Sequence, residues 1–156
     1  MAEAGVEHSK EMVITFRDLD LPGRAMGPLP SGYNGFTWSA SAWFMTRAFL
    51  SSFCPGSQIG LLNANGQDVT IESKALFDLK GLSLCALWKD KARVVVEGWA
   101  KGVRKYATTQ TVSLGSTTHC ALDYRDVDRV EIKPDGAHIV IGTITVFFQR
   151  NRSQPG

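Results

Sequence analysis

The chain has 156 residues, of which 44% are hydrophobic and 21% are charged; this balance is typical of one globular domain with a single core. The formal net charge is only +2 at pH 7, so no strong field attracts nucleic acid or an anionic membrane surface, and we expect neither as a partner. No stretch approaches the roughly 20 apolar residues of a membrane helix, so we expect a soluble chain.

The three cysteines, Cys54, Cys85 and Cys120, lie far apart and lack the close pairs that zinc sites use. We therefore predict no metal site, and the odd count argues against a complete disulfide framework. The first residues are polar and contain no apolar signal-peptide core. The sequence as it stands predicts a cytoplasmic protein, or a secreted one if a native leader is missing from it.

Short β-type segments separated by turn residues follow one another along the chain. After a polar tail, residues 12–16 have the β-branched content of a strand, and the prolines and glycines of residues 18–35 indicate a long irregular loop. Residues 36–45 alternate large and small side chains as a strand does. From residue 41 to 53 a short helix competes with a strand followed by an irregular loop, and we favour the strand.

Further strands are predicted over residues 58–63, 69–73, 75–79, 81–88, 93–100, 105–114, 120–124, 129–133 and 138–148. This rhythm predicts an all-β fold, an antiparallel β-sandwich (jelly roll) with at most one short helix near residues 43–52. The sandwich is expected to occupy residues 12–148, between a disordered tail of residues 1–11 and a disordered basic tail of residues 149–156.

Five short motifs carry a resemblance to a known family. They are Ile14-Thr15-Phe16-Arg17-Asp18-Leu19, Pro30-Ser31-Gly32-Tyr33-Asn34-Gly35-Phe36-Thr37-Trp38, Phe77-Asp78-Leu79, Val94-Val95-Val96-Glu97-Gly98-Trp99 and His138-Ile139-Val140-Ile141-Gly142-Thr143-Ile144-Thr145-Val146. Together they resemble a β-jelly-roll family of fungal and bacterial proteins that is related to galactose-binding-like and carbohydrate-binding modules. The resemblance covers about residues 12–147 and implies a domain that binds a sugar or another small ligand.

The resemblance also implies a structural calcium site, from which this chain departs. The family usually begins with Phe-Asp-Asp-Leu and ends with Ile-Asp-Asn, whose oxygens can hold calcium between adjacent strands. Here Arg17 and Gly142 stand at those places, which removes oxygen ligands and adds a positive charge beside a cation that needs about six to eight oxygens. We therefore expect no calcium there, or a weakly bound one.

Aromatic residues near the expected loops are candidates for stacking on a sugar ring or another flat ligand. Trp38 and Trp88 lie in expected strands, where a tryptophan is more often part of the core. The basic turn of residues 101–105 either holds an anion or, as we favour, is simply solvated. The candidate ligand-binding residues are Tyr33, Trp43, Arg47, Trp99, Arg104 and Tyr106.

The charged residues give no signature of catalysis. Carboxylates between residues 123 and 131 alternate with arginines, which favours surface ion pairs. His119 and Cys120 are neighbours in an expected strand and point to opposite faces, so they do not form a catalytic pair. No phosphate-binding glycine loop and no hydrolase nucleophile motif occurs.

The sequence thus favours a lectin-like or small-ligand-binding domain whose partner is a small molecule or a glycan, with no cofactor. Two alternatives stay open. One is a cofactor-free cyclase or isomerase of fungal type that acts on a specialised metabolite in a sandwich pocket, with His138, Arg104 and Asp123 as catalytic candidates. The other is a protein-interaction module, such as an effector or an adhesion module. Edge strands would also allow a homodimer.

Overall fold

The computed structural model describes residues 9–19, 26–45, 60–63, 66–87 and 90–149. The strands in these ranges are β1 Ser9–Ile14, β2 Met26–Pro28, β3 Thr37–Trp38, β4 Ala42–Met45, β5 Gly60–Asn63, β6 Val69–Leu87, β7 Ala92–Ala100, β8 Val103–Val112, β9 Thr118–Lys133 and β10 His138–Gln149. Two 3-10 turns, Arg17–Leu19 and Tyr33–Gly35, are the other regular elements. No helix in the described ranges is long and apolar enough to cross a membrane.

The strands pair in the order β2-β4-β5-β10-β6-β9-β7-β8, with β1 added to β10 and β3 added to β6. Every one of these pairs is antiparallel. The prediction of an all-β antiparallel sandwich is therefore confirmed. The helix considered near residues 43–52 does not begin at Trp43, because β4 continues through Met45; residues 46–52 lie outside the described ranges.

Two long strands, β6 and β9, run through both halves of the sandwich. The first part of β6, residues 69–72, pairs with residues 129–132 of β9, whereas residues 77–84 pair with residues 118–127. The register shifts between Glu72 and Phe77, so residues 73–76 form a bulge. The sequence predicted separate strands here because it contains polar breaks; the bulges absorb these breaks without ending the ladder.

One half of the sandwich is called the front sheet below. It consists of β3, residues 69–72 of β6, residues 129–133 of β9, β7 and β8. Its inner face contributes valines and isoleucines such as Val96 and Ile132 to the core, which they share with Ile139, Ile141 and Ile144 of β10. At the centre of the sandwich these apolar side chains leave no room for a water molecule. At this point of the sandwich the described side chains therefore leave no cavity for a substrate.

Tyr124 of β9 contacts residues of both β7 and β8 on the inner face of the sheet. Its ring is stacked on that of Tyr106, with centroids 4.7 Å apart, and it occupies the space above Gly98, where a Cβ atom would lie 2.8 Å from Tyr124 Cδ2. Its buried hydroxyl donates to the Val96 carbonyl oxygen at 2.7 Å and shares a hydrogen bond with Thr108 Oγ1 at 2.6 Å. A glycine at position 98 is thus required by the close approach of a ring.

We expect Tyr124→Phe to lower the free energy of unfolding by about 1–3 kcal/mol, since it leaves buried polar atoms without a partner. Tyr106→Phe is the matched control: its hydroxyl contacts the Arg125 backbone at the surface, so its loss should matter less. Urea unfolding of the two variants measures both effects. If Tyr106→Phe is the more destabilising of the two, the buried hydrogen bonds do not have this role.

Candidate functional site

A row of side chains crosses the open face of the front sheet. Register pairs place Thr37 opposite Glu72, Glu72 opposite Arg129, and Arg129 opposite Trp99. Trp99 in turn lies opposite Arg104 of β8. Residues that face each other across antiparallel strands lie on one face of the sheet, and five strands about 4.8 Å apart make the row about 19 Å long.

A second row runs beside the first one. In it Thr70 lies opposite Glu131, and Glu131 lies opposite Glu97. Lys133 follows on β9, opposite Val95. The surface formed by the two rows is called the charged face; it consists of Thr37, Thr70, Glu72, Glu97, Trp99, Arg104, Arg129, Glu131 and Lys133.

The carboxylate of Glu97 is at the centre of the charged face, and the residue is only 5% exposed. Its Oε1 accepts hydrogen bonds from Trp99 Nε1 at 3.2 Å and Lys133 Nζ at 3.0 Å, and its Oε2 accepts one from Arg104 Nη1 at 3.2 Å. Burial alone would raise the pKa of Glu97, but the three donors outweigh it and hold the pKa below its ordinary value. The hydrogen bond to Glu97 raises the pKa of Lys133.

Arg129 and Trp99 form a stacked pair beside this carboxylate. The Arg129 guanidinium lies 4.8 Å from the centroid of the Trp99 ring, within the range of a cation–π interaction. The same guanidinium bonds to Glu131, which also lies 3.4 Å from Lys133 Nζ. Arg129 Nε is buried and has no hydrogen-bond partner within the described part of the chain.

The charges of this face balance. Three carboxylates, from Glu72, Glu97 and Glu131, stand among three cations, from Arg104, Arg129 and Lys133. Hydrogen-bond donors and acceptors therefore alternate over a short distance around one indole ring. Such a surface suits an uncharged ligand whose groups both donate and accept hydrogen bonds.

Of the predicted ligand-binding residues, the structure brings Trp99 and Arg104 together. Tyr106 lies opposite Gly98 and stacks on Tyr124, so it points to the inner side of the same sheet. Trp43 is on β4, where its Nε1 donates to the Ala40 carbonyl oxygen at 3.2 Å. Arg47 lies outside the described residues.

Tyr33 contacts neighbouring protein groups rather than the charged face. Its hydroxyl donates to Asp18 Oδ1 at 2.5 Å, and its ring stacks on Phe16 with centroids 5.8 Å apart. Burial and the hydrogen bond to Asp18 both raise the pKa of Tyr33.

The three catalytic candidates have no common partner. Asp123 is paired with Lys80 and with Arg125, each at 3.2 Å, whereas Arg104 is paired with Glu97. His138 opens β10 opposite Leu87. The surface ion pairs predicted for the carboxylates near residue 123 are confirmed for Asp123.

The predicted site residues did not include Glu97, Arg129 or Lys133, and Glu131 was predicted only as a surface ion-pair residue. One signal was available: Arg129, Glu131 and Lys133 alternate with the buried Val130 and Ile132, the period-two pattern of a strand with one polar face. The pattern is weaker around Glu97, because Val95, two residues before it on the same face of β7, is apolar.

Two hollows adjoin the charged face. One of about 330 Å³ lies at its β3 end, near Pro28, Pro30, Thr37 and Trp38. The other, of about 400 Å³, is lined by Asp68, Arg93, Val95, Lys133 and Asp135. Within the described residues, no three His, Cys, Asp or Glu side chains converge to hold a metal ion.

The departure from the family pattern at Gly142 has a packing reason. A Cβ atom there would lie 2.8 Å from Ser83 Oγ. That hydroxyl accepts a hydrogen bond from the Thr143 backbone N–H at 2.9 Å and lies 3.0 Å from Thr143 Oγ1. A larger residue at position 142 would have to displace this pair.

Comparison with solved structures identifies the kind of fold. A family 29 carbohydrate-binding module from Piromyces equi matches 94% of this chain and 95% of its own, with a TM-score of 0.50 and 11% identity. The CBM22-1 and GH10 modules of the Clostridium thermocellum xylanase 10B, complexed with xylohexaose, match 85% of this chain and 29% of their own, with a TM-score of 0.50 and 8% identity. The agarase AgWH50C matches 79% of this chain and 24% of its own, with a TM-score of 0.49 and 8% identity.

The chain thus has a β-jelly-roll fold of the kind found in carbohydrate-binding modules. It spans about a quarter of the agarase and less than a third of the xylanase modules. No family model matches the sequence. No curated protein sequence matches it either.

Glu97→Gln tests the buried carboxylate through the pH dependence of stability. The folded-state pKa of Glu97 is lowered, so its contribution is present above its unfolded pKa, about 4.3, and is lost as the pH falls through the folded-state pKa. At pH 7 the variant should unfold with a free energy about 1–3 kcal/mol lower than the wild type. Urea unfolding across the acid range should show this difference shrinking as the pH falls.

Asp123→Asn is the control, because its two ion pairs are at the surface and should contribute little. A difference between the wild type and Glu97→Gln that stays constant down to acid pH would contradict the assignment of a charged, buried Glu97.

Proposed function

We propose that this protein is a carbohydrate-binding module that binds one chain of a neutral polysaccharide along the charged face. The observation that carries the proposal is the Glu97 carboxylate, which holds the side chains of Trp99, Arg104 and Lys133 in place on an open sheet face. A site with its polar groups already fixed loses little side-chain entropy when a ligand binds.

The chemistry of the face matches a sugar chain. Each sugar hydroxyl both donates and accepts a hydrogen bond, and the face offers carboxylates beside guanidinium and ammonium groups at 3.0–3.4 Å from one another. The apolar side of a sugar ring packs on an indole, which Trp99 supplies. Because the charges of the face cancel, an anionic polysaccharide gains no general electrostatic attraction there.

The shape of the face supports binding to a single soluble chain. Trp99 is the one aromatic residue of the charged face among the described residues, so the face offers one stacking surface for a sugar ring beside its polar groups. The row is about 19 Å long across five strands, which suits a short run of sugar residues.

The solved structures with this fold agree with the proposal. One match is described as a carbohydrate-binding module, and another contains such a module beside a xylanase domain with xylohexaose. At 8–11% identity these structures support the fold alone.

Trp99→Ala should weaken glycan binding at least about tenfold, since it removes the stacking surface and one donor to Glu97. Soluble xylan, hydroxyethyl cellulose, agarose and dextran in affinity gels provide a first screen. Calorimetry with the hexasaccharide of the polysaccharide that retards the protein then gives the affinity. Asp123→Asn, which lies outside the charged face, should bind as the wild type does.

Loss of binding in Asp123→Asn together with full binding by Trp99→Ala would contradict the proposal. If the wild type binds none of these polysaccharides, the proposal fails and the protein-interaction alternative is favoured.

The state of Cys85 supports an oxidising compartment for this function. Cys85 is disulfide-bonded, and such bonds persist mainly in secreted and cell-surface proteins. Cys120 is free and buried, and its burial raises the pKa of the thiol, so it is a poor nucleophile. We therefore propose that the protein acts outside the cytoplasm, which is the secreted alternative that the sequence analysis left open.

Reduction with dithiothreitol should lower the thermal midpoint of the protein, because the disulfide restricts the unfolded chain. Cys120→Ser is the control, and its midpoint should fall by the same amount on reduction. An unchanged midpoint in reductant would contradict a structural disulfide at Cys85.

A further inference from the structure

The first row of the charged face ends in an uncharged hollow. Thr37, the last residue of the row, lies opposite Glu72 and also lines the hollow of about 330 Å³. This volume is at the lower end of the usual range for small-molecule sites, about 300–1,000 Å³. The hollow is lined by prolines, alanines, hydroxyl residues and one indole, and none of its lining side chains is charged.

We propose that this hollow is a second subsite, which holds the terminal neutral sugar ring of the chain bound along the charged face. The inference rests on the proposed function and names the part of the ligand that the hollow takes. Thr37 joins the two surfaces, so one continuous chain can contact both.

The indole of Trp38 is fixed in position for this role. Its Nε1 donates to the Tyr33 carbonyl oxygen at 2.8 Å. Its ring meets Phe16 edge-on with centroids 6.0 Å apart, and it meets Phe36 edge-on at 6.1 Å. The indole nitrogen therefore has its partner, and these contacts hold Trp38, one of the residues that line the hollow, in a fixed position.

Hydroxyl groups supply the polar contacts of the hollow. Ser39 Oγ accepts from the Thr70 N–H at 2.9 Å and lies 2.9 Å from Ser41 Oγ, so it is held by the protein. The exposed hydroxyls of Thr37 and Ser31 are left to bond to a ligand. Hydroxyls beside proline and tryptophan fit a neutral sugar ring and offer no counter-charge for a carboxylate or an amine.

The second hollow, near Arg93, is a weaker candidate for the chain end. Its lining carries Asp68, Asp135, Arg93 and Lys133, and Lys133 is already bonded to Glu97 and Glu131. This hollow lies beside Arg93 and Val95, further along β7 than Glu97. The first row crosses β7 at Trp99, so a glycan chain that follows this row does not enter the hollow.

Ala40→Trp tests the subsite by filling the hollow from an exposed turn position. The probes are the xylo- and cello-oligosaccharides from disaccharide to hexasaccharide, measured by calorimetry on the whole protein. In the wild type the affinity should rise with chain length until the hollow is filled. Ala40→Trp should weaken binding of the hexasaccharide about tenfold and leave the shorter oligosaccharides, which fit on the charged face, nearly unchanged.

Two further variants serve as controls. Ser31→Trp blocks the same hollow from another side, so it should reproduce the loss even if Ala40→Trp is poorly folded. Ala121→Trp adds the same bulk at an exposed position of β9 outside the hollow, and it should bind every oligosaccharide as the wild type does.

The outcomes separate the subsite from the proposed function. If the wild type binds the hexasaccharide and both blocking variants bind it equally well, the hollow is not a subsite while the proposed function stands. If the blocking variants lose affinity equally for every chain length, the hollow is likewise not a separate subsite. If the wild type binds no oligosaccharide, the proposed function and this inference both fail.

Discussion

The buried carboxylate of Glu97 is the constraint on which the charged face depends. A carboxylate that is only 5% exposed is costly to bury unless charged or polar donors surround it. The structure supplies three donors: Trp99 on β7, the strand of Glu97 itself, and Lys133 and Arg104 on the neighbouring strands β9 and β8. Satisfying one buried charge therefore fixes an indole, an ammonium and a guanidinium at once, and these are the groups that we propose contact the glycan.

The fold follows from patterns that the sequence displays openly. The segments of β7 and β10 are rich in apolar and β-branched residues between turn residues. Each forms a strand whose bounds differ from the predicted ones by one residue. The long strands β6 and β9 were predicted as separate pieces, because polar residues such as those of the 73–76 bulge look like turns in a sequence. Whether a polar break ends a strand or bulges out of it is decided by pairing with distant strands, which no local pattern contains.

The site was only partly predictable for a related reason. The register of β7 and β8 shifts between Gly98 and Trp99, so Trp99 lies opposite Arg104 while Gly98 lies opposite Tyr106. That one-residue shift joins Trp99 and Arg104 on the charged face and leaves Tyr106 on the core side, where Gly98 makes room for its stack with Tyr124. Trp38 packs against the core as the sequence predicted, whereas Tyr33, a predicted ligand-binding residue, uses its hydroxyl for Asp18 and its carbonyl oxygen for the indole nitrogen of Trp38.

The measurement that tests the charged face most directly is a titration with xylohexaose and cellohexaose followed by the indole N–H signals of the protein. The chain has four tryptophans, so these signals can be assigned by single substitutions. The Trp99 signal is expected to shift on binding, because its Nε1 is bonded to Glu97 on the charged face. A Trp99 signal that stays in place while the protein binds either hexasaccharide would contradict the charged face as the binding site.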